Sequence, residues 1–118
     1  MALAELVSSE EFVIEKSIQE SPCWYDEVTG LEAEDLLRGE KAFTYLLRVG
    51  EKSHNYYVSF VEPSGLIKHQ PIVIKYFGEA WFCRNYNHIG PNTDETIEQI
   101  VHKIMHCEQE DARALNKM

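Results

Sequence analysis

Arg48 closes the run Phe43-Thr44-Tyr45-Leu46-Leu47-Arg48, which otherwise reads as a core strand. Successive strand residues face opposite ways, so Tyr45 and Leu47 share one face and Thr44, Leu46 and Arg48 the other. Leu46 belongs in a core, and Arg48 therefore rises from a partly buried floor. A guanidinium stays charged there and presents a rigid fork of N–H donors that matches an anion of planar or tetrahedral oxygens. No acidic residue adjoins it in sequence, so an external phosphate fits best. The competing reading pairs Arg48 internally with a helix carboxylate such as Glu34.

Two other patterns could do chemistry. Cys107 and Arg113 have the spacing C-x5-R, which can place a thiolate under a bound phosphate. The intervening Glu108-Gln109-Glu110-Asp111-Ala112 lacks glycine and is acidic, which repels such an anion, so we read no enzyme here. His102 and His106 lie one helical turn apart beside Cys107. The glutamate of a zinc-hydrolase helix is missing, and histidines near a helix C-terminus suit the helix dipole, so we read neither metal nor cofactor.

The chain has 118 residues, 44% of them hydrophobic, enough for one compact domain with a real core. Its net charge of −9 argues against nucleic acid as a partner. The charge is unevenly spread: residues 38–84 carry +3 and the flanks −12. A locally basic sheet within an acidic chain suits a small anion better than a polyanion. The three cysteines (Cys23, Cys83, Cys107) show no paired spacing, which points to a reducing, cytoplasmic setting. No secretory leader and no run of about 20 apolar residues is seen, so we expect a soluble monomer without a membrane span.

The elements that must position Arg48 follow from punctuation and periodicity. Ser8-Ser9-Glu10-Glu11 reads as a capping box before Phe12, Val13, Ile14 and Ile18, a short helix stopping before Ser21-Pro22. Thr29-Gly30-Leu31-Glu32 opens a second helix carrying Ala33, Leu36 and Leu37, and Gly39 ends it. Strand-like runs cover 42–49, 55–61 and 66–77, joined by Gly50-Glu51-Lys52-Ser53-His54 and by Glu62-Pro63-Ser64-Gly65. A short strand follows at Trp81-Phe82-Cys83. Asn92 caps a last helix with Ile97, Ile100, Val101, Ile104 and Met105 on one face. The division is a helical extension at 1–21, a domain at 22–106 and a polar tail at 107–118. An α+β fold results, a central antiparallel sheet with a helix on each face.

Five pieces, in order and spacing, then resemble an SH2 domain: Trp24-Tyr25; Glu32-Ala33-Glu34 with Leu36-Leu37; Thr44-Tyr45-Leu46-Leu47-Arg48; Tyr57-Val58-Ser59-Phe60; and Ile67-Lys68-His69. Ile97-Glu98-Gln99-Ile100-Val101 is similar to the start of that family's second helix. The resemblance implies a sheet between two helices and a site for phosphotyrosine in proteins and peptides. It makes Arg48 the phosphate-binding arginine, places Glu51, Lys52 and Ser53 in the loop around the phosphate, and sets His69 beside the arginine. Lys52 and Lys68 are the available helper cations, and the peptide would cross near Gln70 and Pro71. The depth of Arg48 selects the long phosphotyrosine over phosphoserine.

The chain departs from the family at three positions: Leu31 stands where a second phosphate-binding arginine is usual, Pro71 where a lysine often covers the ring, and Gly50 where serine is common. The loop and small strand expected after the last helix look absent. This reduced form resembles the SH2 domains of effectors from intracellular bacterial pathogens, which implies low sequence selectivity and, for a secreted effector, the host-cell cytoplasm. The alternative is a protein-interaction domain of the same fold that works without phosphate.

Overall fold

The computed structural model describes residues 15–52, 54–77, 80–83, 88–89 and 97–116. Ser8, Asn92 and the helix starts read from them lie outside these residues. Helical residues 15–19 form α1, followed by α2 (Gly30–Leu37). The strands are β1 (Thr44–Val49), β2 (Asn55–Val61), β3 (Ile67–Phe77), β4 (Ala80–Cys83), β5 (His88–Ile89) and β6 (Arg113–Ala114), with α3 (Ile97–Ile104) between the last two. Their order in the sheet is β5-β4-β3-β2-β1-β6. Every neighbouring pair is antiparallel except β1 with β6. The fold is thus α+β with a mixed sheet. Among the described residues no helix is long and apolar enough to cross a membrane.

Register sorts the side chains. Tyr45 pairs with Phe60, Leu47 with Val58 and Val49 with Tyr56, while Leu46 pairs with Ser59 and Arg48 with Tyr57. On β3, Ser59 meets His69 and Tyr57 meets Pro71, whereas Val58 meets Gln70 and Phe60 meets Lys68. Tyr45, Leu47, Tyr56, Val58 and Phe60 of the first set pack with Ile97, Ile100, Val101, Ile104 and Met105 of the α3 segment into the main core. Each fully buried aliphatic side chain there contributes about 1.5–3 kcal/mol. The opposite face has a much smaller apolar cluster, Ala33 and Leu37 of α2 on Leu46 and Val61. The space beside that cluster is occupied by polar groups, including Arg48.

α2 starts where the sequence says it must. Glu32 N–H donates to Thr29 Oγ1 at 3.1 Å and Thr29 N–H to Glu32 Oε1 at 2.9 Å, a closed capping box. The helix stops at Leu37 before Gly39, whose φ of +84° suits a residue without Cβ.

The tail differs from the reading of 107–118 as a plain polar segment with no small strand after the last helix, because β6 follows α3 there, and the sheet differs from a wholly antiparallel one. Arg113 N–H donates to Phe43 O at 2.9 Å and Leu115 N–H to Tyr45 O at 2.8 Å, so β6 runs parallel to β1. Residues further up β1 are met by the segment before α2: Leu47 N–H reaches Cys23 O, Tyr25 N–H reaches Leu47 O, and Val49 N–H reaches Asp26 O. The cause is general. A bare sheet edge leaves donors and acceptors to be satisfied, and β1 has them satisfied by two short segments.

The hairpin after Arg48 is tight. Gly50 N–H donates to Asn55 O at 2.8 Å, and a Cβ on Gly50 would sit 2.6 Å from the Asn55 carbonyl carbon. Gly50 is required by that backbone approach. Gly50→Ala should destabilise the fold by about 1–3 kcal/mol. Urea unfolding measures the loss, and an unchanged midpoint would show that the hairpin relaxes freely.

Candidate functional site

Arg48 lies at the end of β1 and is 8% exposed. Its Nε–H donates to Ser59 Oγ at 3.0 Å, and Nη2 lies 3.2 Å from His69 Nδ1. Ser59 Oγ is 2.7 Å from the same His69 nitrogen, and His69 Nε2 is 2.9 Å from Glu34 Oε2. One proton arrangement satisfies the chain throughout. Ser59 accepts from Arg48 and donates to His69 Nδ1, and His69 donates from Nε2–H to the Glu34 carboxylate. Glu34 is thus spent on His69, and among the described residues no carboxylate forms an ion pair with Arg48. The competing pairing of Arg48 with Glu34 is therefore not formed.

The guanidinium is held on its faces as well. Its Cζ lies 4.5 Å from the centre of the Tyr57 ring, a cation–π contact worth about 0.5–2 kcal/mol. On α2, a Cβ placed on Gly30 would be 3.5 Å from Arg48 Nη2 and 3.9 Å from His69 Cε1. The first turn of α2 therefore lies against the cation. Helix N-termini carry partial positive charge and free N–H groups, so two positive ends converge on one place. Burial pulls the Arg48 pKa down, against opposing pulls from Tyr57 and Glu34. An arginine nonetheless stays protonated. Both Nη1 hydrogens and one on Nη2 have no acceptor among the described residues. Chemically, the site can accept a compact oxyanion.

The Ser59–His69–Glu34 order also matches the hydrogen-bond order of a hydrolytic triad. Ser59 is 0% exposed and its oxygen receives Arg48 Nε–H, so here the relay orients the arginine. The Cys107 thiol is pushed up by burial and then by Asp111 and Glu108, away from thiolate character. Residues between it and Arg113 form a 3-10 turn at Gln109–Asp111 rather than a phosphate cradle. His102 Nδ1 donates to Cys107 O at 2.9 Å, closing the end of α3. Among the described residues no cluster of three or more metal-binding side chains occurs.

The structure brings His69 to Arg48 and leaves Lys68 elsewhere. Lys68 faces the α3 side, where it pairs with Glu62 at 3.4 Å. With Gln70 it lines a shallow cavity of about 310 Å³ walled by Phe43, Phe60, Ile104 and Met105. Pro71 stands opposite Tyr57, on the Arg48 face. Glu51 and Lys52 are exposed in the loop after β1, and Ser53 lies outside the described residues. Sequence reading named no site role for Tyr57 or Ser59. Their signal was alternation on β2, which puts both on the face of Arg48 once the register is known. No family model matches the chain, and no curated protein matches it.

Two substitutions separate support from function. Ser59→Ala should cost about 1–3 kcal/mol by stranding Arg48 Nε–H, while His69 Nδ1 keeps Arg48 Nη2. Arg48→Met should be neutral or stabilising, since it removes a buried charge with no ion-pair partner among the described residues. The Ser59→Ala penalty should shrink in the Arg48→Met background. Denaturant midpoints for the four proteins measure this, and an equal penalty in both backgrounds would mean that Ser59 does not hold the arginine.

Proposed function

We propose that this chain is a phosphotyrosine-binding module of the SH2 kind, with Arg48 as the phosphate receptor. The observation that carries the reading is a buried guanidinium, oriented by neutral partners, with several donors unspent and no carboxylate paired to it among the described residues. A phosphotyrosine carries about −1.5 to −2 charge, and two parallel N–H···O bonds from Arg48 match its oxygens. The α2 N-terminus adds favourable dipole and further N–H groups. Because Arg48 is sunk between Tyr57 and Gly30, a long aromatic stem reaches it where a short phosphoserine stem does not.

Helpers are fewer than in the family at large. Lys52, on the loop after Arg48, is the cation within the same neighbourhood of the chain, while Lys68 serves the other face. A bound peptide would cross β3 at His69, Gln70 and Pro71, with residues beyond the phosphotyrosine passing toward the cavity beside Gln70. Few specific contacts offer themselves along that path, which favours tolerant capture of tyrosine-phosphorylated proteins.

The test is a titration of one peptide in phosphotyrosine, tyrosine and phosphoserine forms. Binding should require the first form. Arg48→Ala should lower affinity by at least about 100-fold, since each hydrogen bond to a charged group is worth roughly 1.5–3 kcal/mol. Arg48→Lys should also fail, because it keeps the charge and loses the fork. Affinity should rise between pH 5 and 7 as the phosphate passes its second pKa of about 6, and fall with added salt. Equal binding of the phosphorylated and plain tyrosine peptides would overturn the proposal in favour of phosphate-independent docking.

A further inference from the structure

Outside the Arg48 site, one cluster joins α1 to residues 54–56 through a single carboxylate. Glu15 of α1 is only 14% exposed at its side chain. Its Oε2 lies 2.6 Å from His54 Nδ1, and its Oε1 accepts from the Tyr56 hydroxyl. Gln19, one turn further along α1, donates to the same hydroxyl at 3.5 Å. Trp24 packs edge-on to the Tyr56 ring at 5.9 Å, closing the other side.

His54 ends the loop that begins two residues after Arg48. Its φ is +65°, a left-handed conformation that non-glycine residues adopt at a cost. Such a conformation persists when surrounding contacts determine it, and the contacts are present. The imidazole is held by Glu15 of α1, while the His54 carbonyl accepts Ile74 N–H from β3 at 3.0 Å. Inside the loop, Asn55 N–H returns to Lys52 O at 3.1 Å. Burial, followed by Glu15, pushes the Tyr56 pKa far up, so its hydroxyl remains a donor to the carboxylate.

We propose that Glu15 is a positioning residue for phosphate binding: through His54 it fixes the loop that follows Arg48, so that α1 belongs to the binding unit. The inference rests on the phosphotyrosine reading above. Tyr56 lies on the α3 face of the sheet and Arg48 on the other, so Glu15 sets the loop from behind without adding its negative charge to the pocket. A carboxylate suits this task because it can accept from the imidazole and the phenol at once. Preorganising a loop in its bound form raises affinity by removing an ordering cost at the moment of binding, and the gain shows in a slower off-rate.

The experiment measures phosphotyrosine-peptide binding by the full chain and by Glu15→Ala, Glu15→Gln, His54→Asn and the Glu15→Ala/His54→Asn double variant. Asparagine tolerates positive φ, so His54→Asn removes the imidazole while sparing the backbone. His54 is 45% exposed at its side chain, which keeps this variant informative even where Glu15→Ala folds poorly. Affinity should fall about 3- to 10-fold in each single variant, through the off-rate, with the double variant no worse than the singles. Glu15→Gln, retaining one acceptor, should recover part of the loss. Amide exchange at residues 50–52 should quicken in His54→Asn. Unchanged off-rates, or additive losses in the double variant, would overturn this proposal alone. Failure of the wild-type chain to bind would overturn it together with the phosphotyrosine reading.

Discussion

Much about the Arg48 face follows from holding one cation out of water with no carboxylate paired to it among the described residues. Burying a charge costs several kcal/mol unless partners offset it. Here the partners are a hydroxyl, an imidazole nitrogen and an aromatic ring, all neutral. They fix direction while leaving the charge uncancelled. Glu34 is near enough to bias the local field but is engaged by His69. Such a buried, uncancelled charge lowers stability unless an anion meets it.

That constraint explains the asymmetry of the two sheet faces. The α3 side is a conventional apolar core and bears most of the folding energy. The α2 side has only a small cluster, so α2 is anchored by Ala33 and Leu37, beyond its first turn, and by its own capping box at the start. Gly30, whose Cβ position faces Arg48 Nη2, then needs no side chain to hold its place. The helix N-terminus can approach the guanidinium closely because its anchoring is elsewhere.

Much of this is legible in the residues. Strand β1 is readable because two covered faces leave an apolar run in which a single arginine stands out, and α2 because Thr29 and Glu32 are spaced to cap each other. The pairing of Ser59 and Tyr57 with Arg48 is not legible, since it depends on the register set by the hairpin at Gly50. Lys68 is a different case. Neighbours on one strand face opposite ways, so His69 and Lys68 cannot share a pocket wall, and alternation alone places them apart. β6 is too short to show periodicity; only the unmet edge of β1 calls for it. The family-like order of pieces from Trp24 to Val101 stands on the sequence, with the α+β architecture compatible with it.

The sharing of the β1 edge has a consequence for the order of assembly. Leu47 and Val49 find partners at Cys23 and Asp26, which precede them in the chain, and the hairpin to β2 follows at once. Thr44 and Tyr45 wait for Arg113 and Ala114. Joining segments so far apart incurs loop-closure entropy before two bridged residues return anything, so this seam closes late and opens early. During synthesis the strand bearing Arg48 is therefore sealed first at the arginine end and last at the other, like a zip drawn away from Arg48.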